Sequence, residues 1–116
     1  MTQIKKGSDT GGLPPGKAVD LEKMVEYSDG SIVSRALVQS KVGTVTLFAF
    51  DKGQGLSEHS APFDAIVQVL DGTAEVNIGG EPVLTTAGQT VLMPADIPHS
   101  INAPKRFKML LVMIRG

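Results

Sequence analysis

The sequence lacks cysteine, and it has no excess of positive charge and no long apolar segment. Because none of the 116 residues is a cysteine, disulfides, thiolate zinc sites and cysteine nucleophiles are excluded, and a cytoplasmic location is expected. Eleven Lys and Arg against twelve Asp and Glu leave a net charge of −1, which argues against nucleic-acid binding. The longest apolar run, residues 109–114, is too short to span a membrane.

The length of the chain fits one domain behind an N-terminal arm. A chain of this size can bury about 65% of its unfolded surface, so it needs no disulfide or metal for stability. Residues 1–30 are predicted to form the arm, which begins as a flexible segment rich in glycine and proline. Within it, residues 19–27 are predicted to form either a short helix capped by Asp20 or an extended stretch. Residues 31–116 are predicted to form the folded domain.

Short runs rich in β-branched residues follow Gly30 and predict an all-β domain. The predicted strands cover residues 31–39, 42–50, 65–70, 73–78, 82–85, 90–93, 99–102 and 107–114. Asp71-Gly72 and Gly79-Gly80 are predicted turns. About eight strands at this spacing indicate a sandwich or barrel, and the segments between them are too short for the helices of a parallel sheet.

The last predicted strand is apolar on both faces. Residues 107, 109, 111 and 113 alternate with residues 110, 112 and 114, and all of them are large and apolar. One face is expected to line the core and the other to meet a partner, which predicts a homodimer.

Two stretches, residues 53–72 and 88–103, resemble the two motifs of the cupin family. The first family motif reads G-x5-H-x-H-x3,4-E-x6-G, and Gly53, His59 and Gly72 match it. The second motif reads G-x5-P-x-G-x2-H-x3-N, and its matching residues here are Gly88, Pro94 and His99. The resemblance covers roughly residues 45–114 and implies a cupin double-stranded β-helix, a jelly-roll barrel with a cavity open at one end.

The metal-ligand set of the family is incomplete in this chain. Ala61 stands where the motif has its second histidine, and Ala65 stands where it has glutamate. Asp96 replaces the glycine of the second motif, and Ala103 replaces its asparagine. The resemblance therefore implies that only two of the four ligands, His59 and His99, remain in the cavity.

The two histidines are the candidate ligands of a divalent transition metal: zinc, nickel, copper, iron or manganese. Two neutral imidazoles would hold such an ion weakly, since they supply no negative charge. The alternative is that each histidine is a hydrogen-bonded structural residue.

Four further side chains are candidate ligand-binding residues: Asp64, Gln68, Met93 and Met109. Asp64 lies beside the lost glutamate position, although a turn role is the simpler interpretation. Gln68 is polar, but alternation from Ala65 places it outward. Met93 and Met109, like Met113, are compatible with an apolar ligand pocket or with plain core packing.

Three functions are compatible with this pattern. The first is a small cupin that binds a small molecule, with a weakly held divalent metal between the two histidines. The second is a cupin enzyme, either a metal-dependent dioxygenase or isomerase, or a metal-free, epimerase-like acid–base catalyst. The third is a sensor or interaction module. The catalytic residues of such an enzyme are not identified by the sequence, because a barrel hosts many unrelated chemistries.

Overall fold

The computed structural model describes residues 12–115, which form an antiparallel β-barrel behind one short 3-10 helix, η1 (Leu21–Lys23). The strands are β1 (Ile32–Ser40), β2 (Gly43–Phe50), β3 (Gly55–His59), β4 (Ala65–Ile78), β5 (Glu81–Thr86), β6 (Thr90–Met93), β7 (His99–Asn102) and β8 (Phe107–Ile114). Within residues 12–115 there is no helix of the length and hydropathy needed to cross a membrane.

Strand β4 connects the two halves of the barrel. The strands follow the order β1-β2-β8-β4-β7-β3, and β5 and β6 also pair with β4. The first half of β4 pairs with β8 and β6, and its second half pairs with β7 and β5. This curled, all-antiparallel arrangement is the jelly roll that the sequence predicted.

The predicted turn at Asp71-Gly72 is wrong, because β4 runs through it as one strand. The register with β8 shifts between Val69 and Asp71, which marks a bulge. Gly72 has a φ of 77°, and a Cβ there would lie 2.0 Å from the carbonyl oxygen of Arg106. The glycine therefore bends the strand from one half of the barrel into the other and does not reverse it.

Gly79-Gly80 forms the predicted hairpin turn between β4 and β5. Ile78 pairs with Glu81, which leaves a two-residue loop. Both glycines have positive φ, 59° and 85°, as a tight hairpin of this kind requires.

The barrel has two apolar clusters, one on each side of the sheet that contains β2. Because successive side chains of a strand point to opposite faces, Phe48 and Phe50 pack inside, while Leu47 and Ala49 pack outside. Inside, the Phe50 ring stacks on Phe107 at a centroid distance of 4.4 Å.

The described part of the N-terminal segment, residues 12–30, covers the outer cluster. Val25 is only 3% exposed and packs with Leu37, and Leu110 of β8 lies against the same group. The predicted helix over residues 19–27 shrinks to η1, because the apolar side chains of the segment pack on the sheet. Asp20 makes no side-chain capping bond, and its carboxylate lies 3.3 Å from the exposed ammonium of Lys23.

Polar contacts fasten this segment to the barrel around Tyr27. The Tyr27 hydroxyl donates a hydrogen bond to Asp71 Oδ2 at 2.5 Å. The guanidinium of Arg106 and the ammonium of Lys108 lie 5.2 and 5.1 Å from the centre of the Tyr27 ring. Burial raises the pKa of the Tyr27 phenol above its usual range, and the hydrogen bond to Asp71 raises it further.

Arg106 also links two acidic residues. Its Nε donates to Asp51 at 2.7 Å, and its Nη2 donates to Asp29 at 2.6 Å. The hydrogen bond from Arg106 lowers the pKa of Asp51 to about 2. Arg106 and Lys108 are therefore structural partners of the N-terminal segment.

Candidate functional site

The candidate site is a cavity of about 140 Å³ inside the barrel, bounded by both of its halves. Its walls are mainly apolar, and the residues that line it are Leu56, His59, Ala61, Ala65, Met93, His99, Ser100, Ile101, Leu111 and Met113. Among residues 12–115, no carboxylate belongs to this lining. The cavity therefore combines an apolar interior with two imidazoles and one hydroxyl.

His59 and His99 lie side by side in this cavity. They are paired residues on the neighbouring strands β3 and β7, and their ring centroids are 4.5 Å apart, with the ring planes at 69°. His99 is buried, with 6% of its surface exposed, and His59 is exposed. The pair thus extends from the interior of the barrel to solvent.

Hydrogen bonds to the backbone fix which nitrogen of each ring is free. Nδ1 of His59 lies 3.0 Å from the carbonyl oxygen of Ser57, and Nδ1 of His99 lies 3.2 Å from that of Ile97. A carbonyl oxygen only accepts, so Nδ1 carries the proton in each case. In the neutral rings, the two Nε2 atoms keep their lone pairs and can accept a hydrogen bond or coordinate a metal ion.

The two positions of the missing family ligands also line the cavity. Ala61 and Ala65 replace the histidine and the glutamate of the motif, and both contribute to the walls. Ala65 pairs with Met93 on one side and with Met113 on the other. Two thioethers therefore flank the position where the motif has a carboxylate.

Asp96 shows how the second motif tolerates the loss of its glycine. Its φ is 66°, so the left-handed conformation persists with an aspartate, a residue that accepts it more readily than most. The Asp96 amide donates to the carbonyl oxygen of Ala61 at 2.7 Å, which ties the turn before β7 to the cavity wall.

The structure separates the four predicted ligand-binding side chains. Met93 lines the cavity, whereas the other three do not. Asp64 is exposed, and its Oδ1 accepts a hydrogen bond from the Ala95 amide at 2.9 Å, which holds it outside. Gln68 lies on the outer face of β4, because the buried Val67 and Val69 on either side of it point inward. Met109 is fully buried in the core.

Several lining residues were missed by the sequence analysis. Leu56 lies on β3, a strand that was not predicted because most of its residues are exposed and polar. Ser100 and Ile101 follow His99 on β7, so they could have been found by extending the motif by two residues. Leu111 shares the inward face of β8 with Met113, a methionine already considered for an apolar pocket, and alternation along the last strand was the available signal for Leu111.

Comparison with known proteins assigns the family. Residues 46–114 match the model of the cupin domain. The chain belongs to the cupin family. This cupin is similar to a conserved protein of unknown function from Streptococcus pyogenes, with 40% identity, coverage of 90% of this chain and 91% of that one, and a TM-score of 0.85. A search among curated proteins found no match.

Two other solved structures support the same family. A cupin 2 conserved barrel domain protein from Leptotrichia buccalis is 39% identical with a TM-score of 0.80, over 83% of this chain and 47% of that protein. This cupin thus spans about half of that protein's length. A cupin superfamily protein from Desulfitobacterium hafniense is 27% identical over 90% of this chain and 95% of its own, with a TM-score of 0.84.

The donor set of this cupin does not fit the four-ligand metal site that the motifs imply. Across residues 12–115, no three His, Cys, Asp or Glu side chains come together in a way that could hold an ion. The two Nε2 atoms supply half of the ligands and none of the negative charge. A divalent ion there would keep its double charge in a largely apolar cavity, which is costly.

Proposed function

We propose that this cupin binds a small, largely apolar molecule in the cavity, anchored by the two histidines. The observation that carries the proposal is that both histidines line an apolar cavity while the backbone carbonyls occupy their Nδ1 atoms, which leaves Nε2 of each neutral ring available to a ligand. Binding pockets commonly have this composition, with an apolar lining and a few convergent polar groups that set the orientation of the ligand.

The size and the polar groups of the cavity define the ligand class. An apolar cavity of roughly 150 Å³ accommodates a benzene molecule, so about 140 Å³ suits one six-membered ring. The two Nε2 atoms accept hydrogen bonds, so the ligand should carry a hydroxyl or N–H group. A small phenol or a small ring alcohol meets both requirements.

A weakly held divalent ion, among zinc, nickel, copper, iron and manganese, remains a prediction for the same two nitrogens. The enzymatic alternative, a dioxygenase, an isomerase or an epimerase-like catalyst, has less support. In the described part of the chain, the cavity wall holds no carboxylate or tyrosine to act as partner to a histidine base. The single tyrosine, Tyr27, is bonded to Asp71 and does not line the cavity.

Titration with phenol and cyclohexanol, followed by NMR on metal-free protein, tests the binding proposal. We expect shifts at the residues that line the cavity, and loss of binding in His99→Ala. Glu58→Ala is the matched control, because Glu58 is an exposed neighbour of His59 that does not line the cavity. Shifts spread over the surface, or equal binding by His99→Ala, would contradict the proposal.

We also propose that two copies of this cupin associate through the outer face of the sheet. Paired residues form an apolar row across five strands: Leu92, Ile66, Val112, Val45 and Val38. The row borders the outer cluster that the N-terminal segment covers, and Val45 packs against that cluster. Leu92 is 50% exposed and Val38 is 41% exposed, at the two ends of the row. In a dimer with two-fold symmetry, the row would pack against the same row of the second copy. Because its side chains are uncharged, this contact would bring no like charges together.

The molar mass in solution, measured by light scattering, tests the dimer. We expect Leu92→Lys to yield monomer. Leu84→Lys is the control, since Leu84 is 66% exposed on β5, outside the row. A wild-type monomer, or equal effects of the two variants, would refute this interface.

A further inference from the structure

Two methionines line the cavity together with the two histidines. Met93 on β6 and Met113 on β8 both pair with Ala65 on β4, one from each side. Side chains of directly paired residues on adjacent strands lie about 4.5–5.5 Å apart at Cβ. Both thioethers thus surround the position where the family motif has its only anionic ligand.

The four side chains Met93, Met113, His59 and His99 offer neutral sulfur and nitrogen donors. Thioether sulfur is a soft donor that selects Cu(I) among biological metals, and imidazole nitrogen is a borderline donor that copper also accepts. All four groups are neutral when the rings are unprotonated. Hard cations prefer oxygen ligands, and the lining offers them one side-chain oxygen, the hydroxyl of Ser100.

The charge of the ion decides between the metals. In the Born description, the cost of moving an ion out of water rises with the square of its charge. The free energy needed to desolvate a monovalent ion is therefore about one quarter of that for a divalent ion of the same size. Since no carboxylate of the described chain lines the cavity to offset that cost, the site disfavours divalent ions and tolerates a single positive charge.

The arrangement of the rings suits a bent site with more than two ligands. With metal–nitrogen bonds of about 2.0 Å, a linear site would place the two Nε2 atoms about 4 Å apart, with the ring centroids farther still. The observed centroid distance is 4.5 Å, which is too short for a linear site. A bent arrangement leaves positions for sulfur, and the flexible methionine side chains can turn toward the ion.

We propose that His59, His99, Met93 and Met113 form a binding site for a soft monovalent metal ion, Cu(I), with Ag(I) as its redox-stable analogue. The proposal rests on the proposed function only in placing a ligand in the same cavity. It predicts that the site prefers a monovalent ion to the weakly held divalent ion expected from the motifs, because the four donors are neutral and two of them are soft sulfur atoms.

Competition with a chromophoric Cu(I) chelator, under anaerobic conditions, tests the site. We expect one Cu(I) per chain, and a loss of affinity of at least about tenfold in Met93→Leu and in Met113→Leu, since even outer-shell changes cost metal sites about 10–100-fold. Met109→Leu is the matched control, because Met109 is buried in the core and does not line the cavity. Exchanges of methionine for leucine conserve volume, so all three variants should fold.

NMR of the methionine methyl groups with Ag(I) supplies a second readout. The signals of Met93 and Met113 should shift, and that of Met109 should stay. Zn(II) should bind more weakly than Cu(I), with an affinity that the methionine variants leave unchanged. Equal losses in all three variants, no loss in any of them, or tighter binding of Zn(II) would overturn the proposal.

Phenol binding to the metal-free protein separates this proposal from the proposed function. If phenol binds and Cu(I) does not, the soft-metal site fails while the cavity stands as a small-molecule site. If Cu(I) binds through the methionines and phenol does not, the proposed function fails alone.

Discussion

Replacing Ala65 with glutamate, the residue of the family motif, should lower the stability of the metal-free protein and raise its affinity for divalent metals. Ala65 is 4% exposed and lines the cavity beside the two histidines. In Ala65→Glu, the new side chain would enter a mainly apolar space without a cationic partner. Burial there should raise the pKa of the new glutamate, because desolvation penalises the ionised form.

The cost of that burial can be worked out. A shift of about two pKa units, from roughly 4.3 to roughly 6.3, corresponds to about 2.7 kcal/mol of stability lost at pH 7. Because the folded pKa is the higher one, the loss is absent below pH 4.3 and develops as the pH rises toward the folded value. Zinc at a concentration 100 times its dissociation constant would stabilise the folded protein by about 2.7 kcal/mol, which nearly offsets the stability lost by burying the glutamate.

Urea denaturation followed by circular dichroism is a suitable assay, since the chain contains no tryptophan. Ala65→Gln is the matched control, with the same shape and no charge. We expect Ala65→Glu to be about 3 kcal/mol less stable than Ala65→Gln at pH 7 without metal, and equal to it near pH 4. Added zinc should close the gap, and the preference for Cu(I) over Zn(II) should decrease.

Two outcomes would refute this reasoning. If Ala65→Glu matched Ala65→Gln at pH 7 in the presence of a metal chelator, the side chain at position 65 would not lie in an apolar cavity. If zinc stabilised the two variants equally, position 65 would not share a site with His59 and His99.

Three further predictions concern the fold. In urea denaturation, Gly72→Ala should destabilise the protein by more than about 3 kcal/mol and Gly80→Ala by only about 1 kcal/mol. Both glycines have positive φ, but only a Cβ at Gly72 would meet a backbone atom, at 2.0 Å. Equal losses of stability in the two variants would contradict that contact. Tyr27, the only tyrosine, should ionise well above pH 10 when the absorbance of its phenolate is titrated. The stability of the protein should fall as the pH rises past 10, because only the unfolded chain then loses the phenol proton. Ionisation of Tyr27 near pH 10 would contradict its hydrogen bond to Asp71. Because the folded pKa of Asp51 is about 2 against 3.8 unfolded, its contribution should be complete above pH 3.8 and be lost toward pH 2. In Arg106→Ala its carboxylate signal in NMR should titrate at a higher pH than in the wild type, with part of the lowering kept by the Gly30 and Lys52 amides that donate to it; an unchanged titration would contradict the bond to Arg106.

Local sequence patterns predicted every observed strand except β3, although they divided β4 in two, and they predicted one of the two turns and the histidine pair. Alternation between apolar and polar residues is a property of neighbours along the chain, so it predicted β2 and β8 close to their observed bounds. Gly79-Gly80 encodes its hairpin locally. The spacing of the family motifs pointed to His59 and His99, which the structure places on paired positions of neighbouring strands.

Which residues meet across strands depends on long-range packing that the sequence patterns did not contain. Asp71-Gly72 has the local sequence of a turn, but pairing with β8 on one side makes it a bulge inside β4. Met93 and Met113 flank Ala65 through the registers of three strands that are distant in sequence. On the outer face of β8, Leu110 packs in the cluster that the chain's own N-terminal segment covers, so only the part of this face around Val112 stays in the predicted dimer interface. Register and docking depend on long-range packing, which local patterns do not contain.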